Sequence, residues 1–290
     1  MTDAVAPRDA TPTEAWEHRP MFSATDKGSR ITWLAPGRSP ARVTPRLWAT
    51  APLCLVAWAV ATAAGSSVLC GATSTECTVA AGQGWLIGAA LVLGYLAVLA
   101  TVDLGERAQD HLGQRRAASM FYLAPLLTGV TVGAAVGADL ALGADQRVSQ
   151  VLDGVPGTEA ALVSAVVAVL AALWGVVVLV RLPGALRHAR RRQETIARLR
   201  RDGQRYTGRV RLGDVRIWLH NDPELAVTIT YRSPAGSHEV AGWMRTSPDR
   251  VPKDGSRVVV LTDLRGAVHV ELDGDGDVSF EPPERYAPSE

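Results

Sequence analysis

The residues able to do chemistry are few, and their spacing limits what they could do. Cys70 and Cys77 enclose Gly-Ala-Thr-Ser-Thr-Glu, a small polar stretch that can fold back and let two thiols meet. A metal site there is a poor fit, because no histidine lies nearby. The six histidines, at 18, 111, 188, 220, 238 and 269, show no metal-ligand spacing. His220, His238 and His269 share one C-terminal segment and could serve an enzyme only if the fold brought them together. The run Asp273, Asp275, Asp277 with Glu284 mimics a calcium loop. Val278 stands where the loop needs a glycine, however, and Pro282-Pro283 interrupt it. There is no phosphate-binding loop, dinucleotide fingerprint, Gly-x-Ser-x-Gly or HExxH. The expectation is a protein with no catalytic residues, no cofactor and no metal, hence not an enzyme.

The chain that must position these residues has 290 amino acids, 30 of them basic and 29 acidic, for a net charge of +1. That balance excludes a strongly basic nucleic-acid binder and an acidic disordered chain. Apolar residues make up 47% and the mean hydropathy is +0.09. The average hides two unlike halves: residues 47–182 are nearly free of charge, and most charge lies on either side. Lys27 and Lys253 are the only lysines among the basic residues, an arginine bias expected of a GC-rich bacterial genome.

Four windows, 47–75, 77–102, 117–138 and 160–180, contain no charged side chain. Each has the roughly 20 residues a helix needs to cross about 30 Å of hydrocarbon. In lipid every backbone polar group must be paired internally, so these windows predict helices at Leu47–Leu69, Gly84–Val102, Phe121–Leu142 and Ala160–Leu182. Residues 1–45 contain six prolines and no apolar signal region, which predicts a disordered cytoplasmic tail and a first helix acting as an uncleaved signal-anchor. The membrane domain then spans 46–182.

Arginine placement sets the orientation. Arg30, Arg38, Arg42 and Arg46 stand shortly before the first helix, Arg107, Arg115 and Arg116 lie between the second and third, and Arg181, Arg187, Arg190, Arg191, Arg192, Arg198, Arg200 and Arg201 cluster at and just after the end of the fourth, whereas the two other loops hold only Arg147. The positive-inside rule puts both termini in the cytoplasm of a bacterial plasma-membrane protein. Cys70 and Cys77 then fall in an outward, oxidising loop and are expected to form a disulfide. Gly129, Gly133 and Gly137 repeat every four residues, and Gly84 with Gly88 does the same, so bare backbone lies along one face of each helix. Such stripes are helix-packing seams, within the chain or between copies of it. Asp103 and Asp139, near helix ends, read as interfacial carboxylates.

Pro183-Gly184 is expected to end the fourth span, and 183–203 then reads as a basic amphipathic juxtamembrane helix stopped by Gly203. It could lie on anionic headgroups or serve as a plain topological anchor. From Gln204 the period changes to two. Strands are expected at Tyr206–Leu212, Val215–Leu219, Leu225–Arg232, Ser237–Arg245, Arg257–Thr262 and Ala267–Leu272. A small cytoplasmic antiparallel barrel or sandwich over 204–280 is the natural closure, followed by a disordered tail at 281–290. Its expected core is Tyr206, Val210, Leu225, Val227, Ile229, Tyr231, Val258, Val260, Val268 and Val270.

The stretch Gly203-Gln204-Arg205-Tyr206-Thr207-Gly208-Arg209-Val210 precedes a Val-Thr-Ile-Thr-Tyr strand and a Ser-Pro-Ala-Gly turn. Val251-Pro252-Lys253-Asp254-Gly255 then stands ahead of Val258-Val259-Val260-Leu261. Over roughly residues 200–272 this resembles the bacterial domain-of-unknown-function family 3592, small β-rich domains attached to membrane helices. The resemblance implies no catalytic residues. The functional expectation is an integral membrane protein in contact with the bilayer, a non-enzymatic scaffold or interaction protein whose β-domain binds a protein partner or itself, and not nucleic acid. A small transport or channel subunit is the alternative.

Overall fold

The computed structural model describes residues 19–40, 45–73, 83–142, 159–219, 222–263, 265–273 and 278–286. The chain divides into two compact units, one of residues 42–112 and 116–188 and one of residues 1–41, 113–115 and 189–290.

The first unit is built from helices α1 (Pro45–Thr73), α2 (Gln83–Leu112), α3 (Arg115–Leu142) and most of α4 (Glu159–Asp202). All four are long and apolar enough to cross a membrane. Large apolar side chains point outward along them, among them Leu91, Trp174 and Val180, as lipid-facing residues do. The interior is made with small and hydroxyl side chains. Trp58 Nε1 donates to Thr101 Oγ1 at 2.7 Å, with Cys54 Sγ 3.5 Å from the same oxygen, tying α1 to α2. Ser164 Oγ donates to Ser66 Oγ at 3.1 Å, tying α4 to α1. Trp48 meets Phe121 edge-on, with ring centroids 5.6 Å apart.

One expectation fails here. Pro183-Gly184 does not end the fourth span, because α4 runs unbroken through both to Asp202. An interior proline costs a helix about 3 kcal/mol, which the long helical runs on each side outweigh. The carbonyl of Pro183 accepts from Arg187 Nε at 3.2 Å. The basic segment is therefore the end of α4 and not a separate helix.

The second unit is a six-stranded antiparallel sheet in the order β1-β4-β3-β2-β5-β6, and its edge strands β1 and β6 approach each other so that it is nearly closed. The strands are β1 (Met21–Ser23), β2 (Gln204–Leu219), β3 (Asp222–Ser233), β4 (Gly236–Arg245), β5 (Arg257–Thr262) and β6 (Val268–Leu272). Alternation buries one face and leaves the other outward. The core holds all ten expected residues, Tyr206, Tyr231 and Val268 at its margin, and adds Phe22, Met244, Val251 and Tyr286.

Three details differ from the sequence reading. The Gly213-Asp214 pair is not a turn: β2 is a single strand, with register shifts between Leu212 and Val215 and between Val215 and Ile217. A bulge absorbs the extra residues without reversing the chain. The segment 19–40 is not a disordered tail. Its Met-Phe-Ser pairs antiparallel with Trp243–Arg245 and buries Phe22 at 3% exposure, so the barrel's sixth strand comes from the N-terminal region. At the other end, Pro283–Tyr286 forms a turn of 3-10 helix that puts Tyr286 into the core. Both segments are ordered because each delivers an aromatic ring to a core that strands β2 to β6 leave open.

Candidate functional site

The outward face of the sheet collects positive charge. Period two puts Arg205, Thr207, Arg209 and Arg211 of β2 on one side, all exposed. Register then decides their neighbours. Arg209 lies directly opposite Arg257 of β5 on one flank and opposite Thr230 of β3 on the other, and Arg211 lies opposite Thr228. Arg232, two residues beyond Thr230 on β3, shares the face. Among the described residues none of these five arginines has a carboxylate partner. Like charges set directly across an antiparallel pair destabilise it, so this arrangement is kept at a cost. On the same side of the sheet stand Glu239, exposed and opposite Thr230, Glu271, engaged by Arg200, and the buried Glu224.

Arg211 also lines a groove of about 520 Å³ between the segment Ala24–Lys27 and strands β2, β3 and β4. Its cations are Lys27, Arg211 and Arg216, and Trp243 supplies an aromatic wall. Its one carboxylate, Asp26, is buried, and Arg192 Nε donates to it at 3.4 Å. Lys27 and Arg216 are exposed and, like the five arginines, have no carboxylate partner among the described residues. Groove and arginine face are thus continuous through Arg211.

The segment that walls the groove is pinned from several sides. Gln114 Nε2 donates to the Arg30 carbonyl at 2.9 Å and to Thr32 Oγ1 at 2.8 Å. Trp33 N donates to the Gly113 carbonyl at 2.8 Å, and Gln193 Nε2 donates to the Trp33 carbonyl at 3.2 Å. The last turns of α4 add two ion pairs to the β5–β6 hairpin, Arg198 to Asp263 at 3.0 Å and Arg200 to Glu271 at 2.7 Å.

A second polar cluster is buried. His269 Nε2 lies 2.8 Å from Glu271 Oε1, which also accepts from Arg200 Nε. Burial pushes the His269 imidazole below its usual range and keeps it neutral. Burial alone would raise the Glu271 carboxyl, but the bond to His269 and the Arg200 guanidinium outweigh it and hold it down to about 2. The adjoining cavity is about 40 Å³, room for a water or two and too small for an organic substrate. Glu271, ionised and doubly bonded, is spent on holding Arg200 and His269 in place. This cluster fastens α4 to the barrel.

The sequence-predicted residues fare unevenly. Gly129, Gly133 and Gly137 all press on α1: a Cβ at Gly129 would meet Trp58 Cβ at 2.9 Å, one at Gly133 would meet Thr62 Cβ at 2.9 Å, and one at Gly137 would strike Ser66. The stripe is a seam within the chain. Of the second stripe, Gly88 faces open space, and the surroundings of Gly84 lie outside what the structure describes. Cys77 and the side chain of Cys70 lie outside the described residues, and no disulfide stands among those described. His238 stacks on Tyr231 with centroids 5.1 Å apart, on the β3–β4 hairpin, while His269 sits on β6 with Glu271. His220, and Asp275 and Asp277 of the acidic run, lie outside the described residues. Among the described residues no group of three potential metal ligands converges. Asp103 is half-exposed and paired with Arg107 at 2.8 Å, and Asp139 is exposed.

Sequence reasoning passed over the arginine face, although its signal, arginines at 205, 209 and 211 in a period-two stretch, was present. The opposition of Arg209 and Arg257 had no local signal, since register alone creates it. No family model matches the chain, and no curated protein or solved structure matches it either.

Proposed function

We propose that this chain is a four-pass protein of the bacterial plasma membrane, with both termini cytoplasmic, whose barrel is a non-enzymatic interaction module holding an acidic segment of a protein partner. The supporting observation is the outward cationic face: seven basic side chains without carboxylate partners among the described residues, running from Arg205 and Arg257 past Arg209 and Arg211 into the groove at Lys27 and Arg216. Guanidinium groups form paired hydrogen bonds with carboxylates, so an acidic strand or loop laid along β2 offsets the repulsion between Arg209 and Arg257. Trp243 gives the same ligand an apolar contact. The four apolar helices and the arginine count of their loops support the membrane placement and its orientation.

The test uses the full chain in nanodiscs and a fluorescent peptide rich in glutamate. Binding should weaken by about tenfold or more in Arg209→Glu/Arg211→Glu and should fall steeply with salt. Equal affinity for the variant, or no salt dependence, would sink the reading. A photo-crosslinker at Thr207 in native membranes then identifies the partner.

A further inference from the structure

The outward row of β2 has a gap in it. Arg205, Thr207, Arg209 and Arg211 alternate along the strand, and the next outward position is Gly213. A Cβ placed there would lie 3.5 Å from the Cβ of Ala226, whose neighbours Leu225 and Val227 are core residues, so position 213 is on the outward side with Ala226. Gly213 and Asp214 together stand opposite Ala226 in the bulge, and Ala226 lies opposite Trp243 of β4. The row across the three strands at this level is therefore glycine, alanine, tryptophan. It forms a hollow with a floor of small groups and one aromatic wall, within the groove of about 520 Å³ between Ala24–Lys27 and the sheet.

Both walls are fixed before any ligand arrives. Trp243 is clamped by ladders on two sides, opposite Ala226 on β3 and Ser23 on β1. The facing segment is held through Asp26. Its N–H donates to Ser23 Oγ at 2.8 Å, and its carboxylate accepts from Thr32 N at 3.3 Å and Arg192 Nε at 3.4 Å. A preformed hollow costs little to fill. Lys27 and Arg216 also line the groove and are exposed, and Asp214, exposed in the bulge, offsets part of their charge. A third carboxylate therefore gains less here than at Arg209 or Arg211. An aromatic ring, in contrast, packs against Trp243 and over Ala226 with the cations in reach of its other face.

A ligand strand has the same period as β2. Side chains on one face of an extended chain stand about 6.6–6.8 Å apart, close to the spacing of Arg209, Arg211 and Gly213 along β2. We propose that the acidic segment bound by the barrel carries an aromatic side chain two positions beyond a pair of alternating carboxylates. The carboxylates meet Arg209 and Arg211, and the ring fills the hollow over Gly213 beside Trp243. This rests on the acidic-segment binding proposed above. It adds the feature that separates the partner from any other acidic chain, since the arginines alone read only charge.

Three fluorescein-labelled peptides are titrated by anisotropy against the full chain in nanodiscs. One carries Glu-Ser-Glu-Ser-Phe, one carries that order reversed, and the control has serine in place of phenylalanine. The better of the two phenylalanine peptides should bind on the order of tenfold more tightly than the control. That advantage should vanish in Trp243→Ala. It should also vanish in Ala226→Leu, which fills the hollow from β3 and leaves Trp243 in place. Salt-dependent binding of the control shows that the barrel is folded in each variant. Equal binding of all three peptides by the wild type overturns the aromatic proposal and leaves the acidic-segment reading standing. No salt-dependent binding of any peptide refutes that reading as well. An advantage that survives both substitutions puts the ring elsewhere and overturns the proposal. Displacement of the labelled peptides by adenosine triphosphate at lower concentration than by unlabelled peptide would mark a nucleotide groove, and that too overturns it.

Discussion

The carboxylate of Glu224 occupies the space that a side chain at Gly28 would need: its Oε2 stands 2.5 Å from the position a Cβ would take. Gly28 sits at φ +38°, in the left-handed region, and opens the 3-10 turn Gly28–Arg30 that carries the N-terminal segment over the end of β3. Glu224 is fully buried there, and neither of its oxygens has a hydrogen-bond partner among the described residues. Nearby, Asp222 bridges Arg115 and Arg245, each at 3.2 Å.

Gly28→Ala should destabilise the barrel unit by about 1–3 kcal/mol, from backbone strain and from the clash with Glu224. Glu224→Ala in the same chain should recover part of that loss, because it clears the space. Thermal unfolding of the four proteins of this double-mutant cycle measures the coupling. Strict additivity would show that the contact is unimportant.

Burial raises the Glu224 carboxyl above its ordinary range, against the pull of Arg115. A raised folded-state value means that the folded protein holds the proton more tightly than the unfolded chain. This contribution is present in full below the unfolded value, about 4.3, and is lost as pH rises through the folded one. Glu224→Gln should therefore be near neutral at pH values around 4 and more stable than the wild type at neutral pH, where the wild-type carboxyl is ionised in a buried site. Melting temperatures in detergent across that range check the sign. A variant that loses ground as pH rises would contradict it.

Phe22 is delivered to the core from a strand of three residues. Phe22→Ala should cost about 3–5 kcal/mol, and a chain starting after residue 40 should lose β1 and expose the edge of β4. Ser29→Ala, on an exposed position of the same segment, should change little. Urea unfolding followed by exchange at Trp243–Arg245 compares them. For the same reason, a fragment of residues 204–280 lacks both Phe22 and Tyr286 and should fold poorly or not at all.

Gly133 and Gly88 occupy equivalent-looking positions in two glycine stripes, but only Gly133 faces another helix. Gly133→Val should drive α1 and α3 apart and cost about 1–3 kcal/mol or more, whereas Gly88→Val should be tolerated. Thermal aggregation in detergent distinguishes the two. Equal damage would mean that Gly88 is covered by something outside the chain.

The alternation of Leu225, Val227 and Ile229 or of Val258 and Val260 and the charge-free windows of the four helices are local signals, and the chain alone determined them. Lipid-length helices must satisfy their own backbone, and half-buried strands must alternate, so type and approximate limits follow from the residues themselves. The tertiary structure decided everything that depends on pairing at a distance. Met21-Phe22-Ser23 is too short to show a period, and becomes a strand only because β4 offers an open edge and the core lacks a ring. The glycines of α3 announced a close approach, but its partner, α1, was fixed by packing. Arg209 met Arg257, and Asp222 met Arg115, through register and chain crossing, which no neighbouring residue encodes.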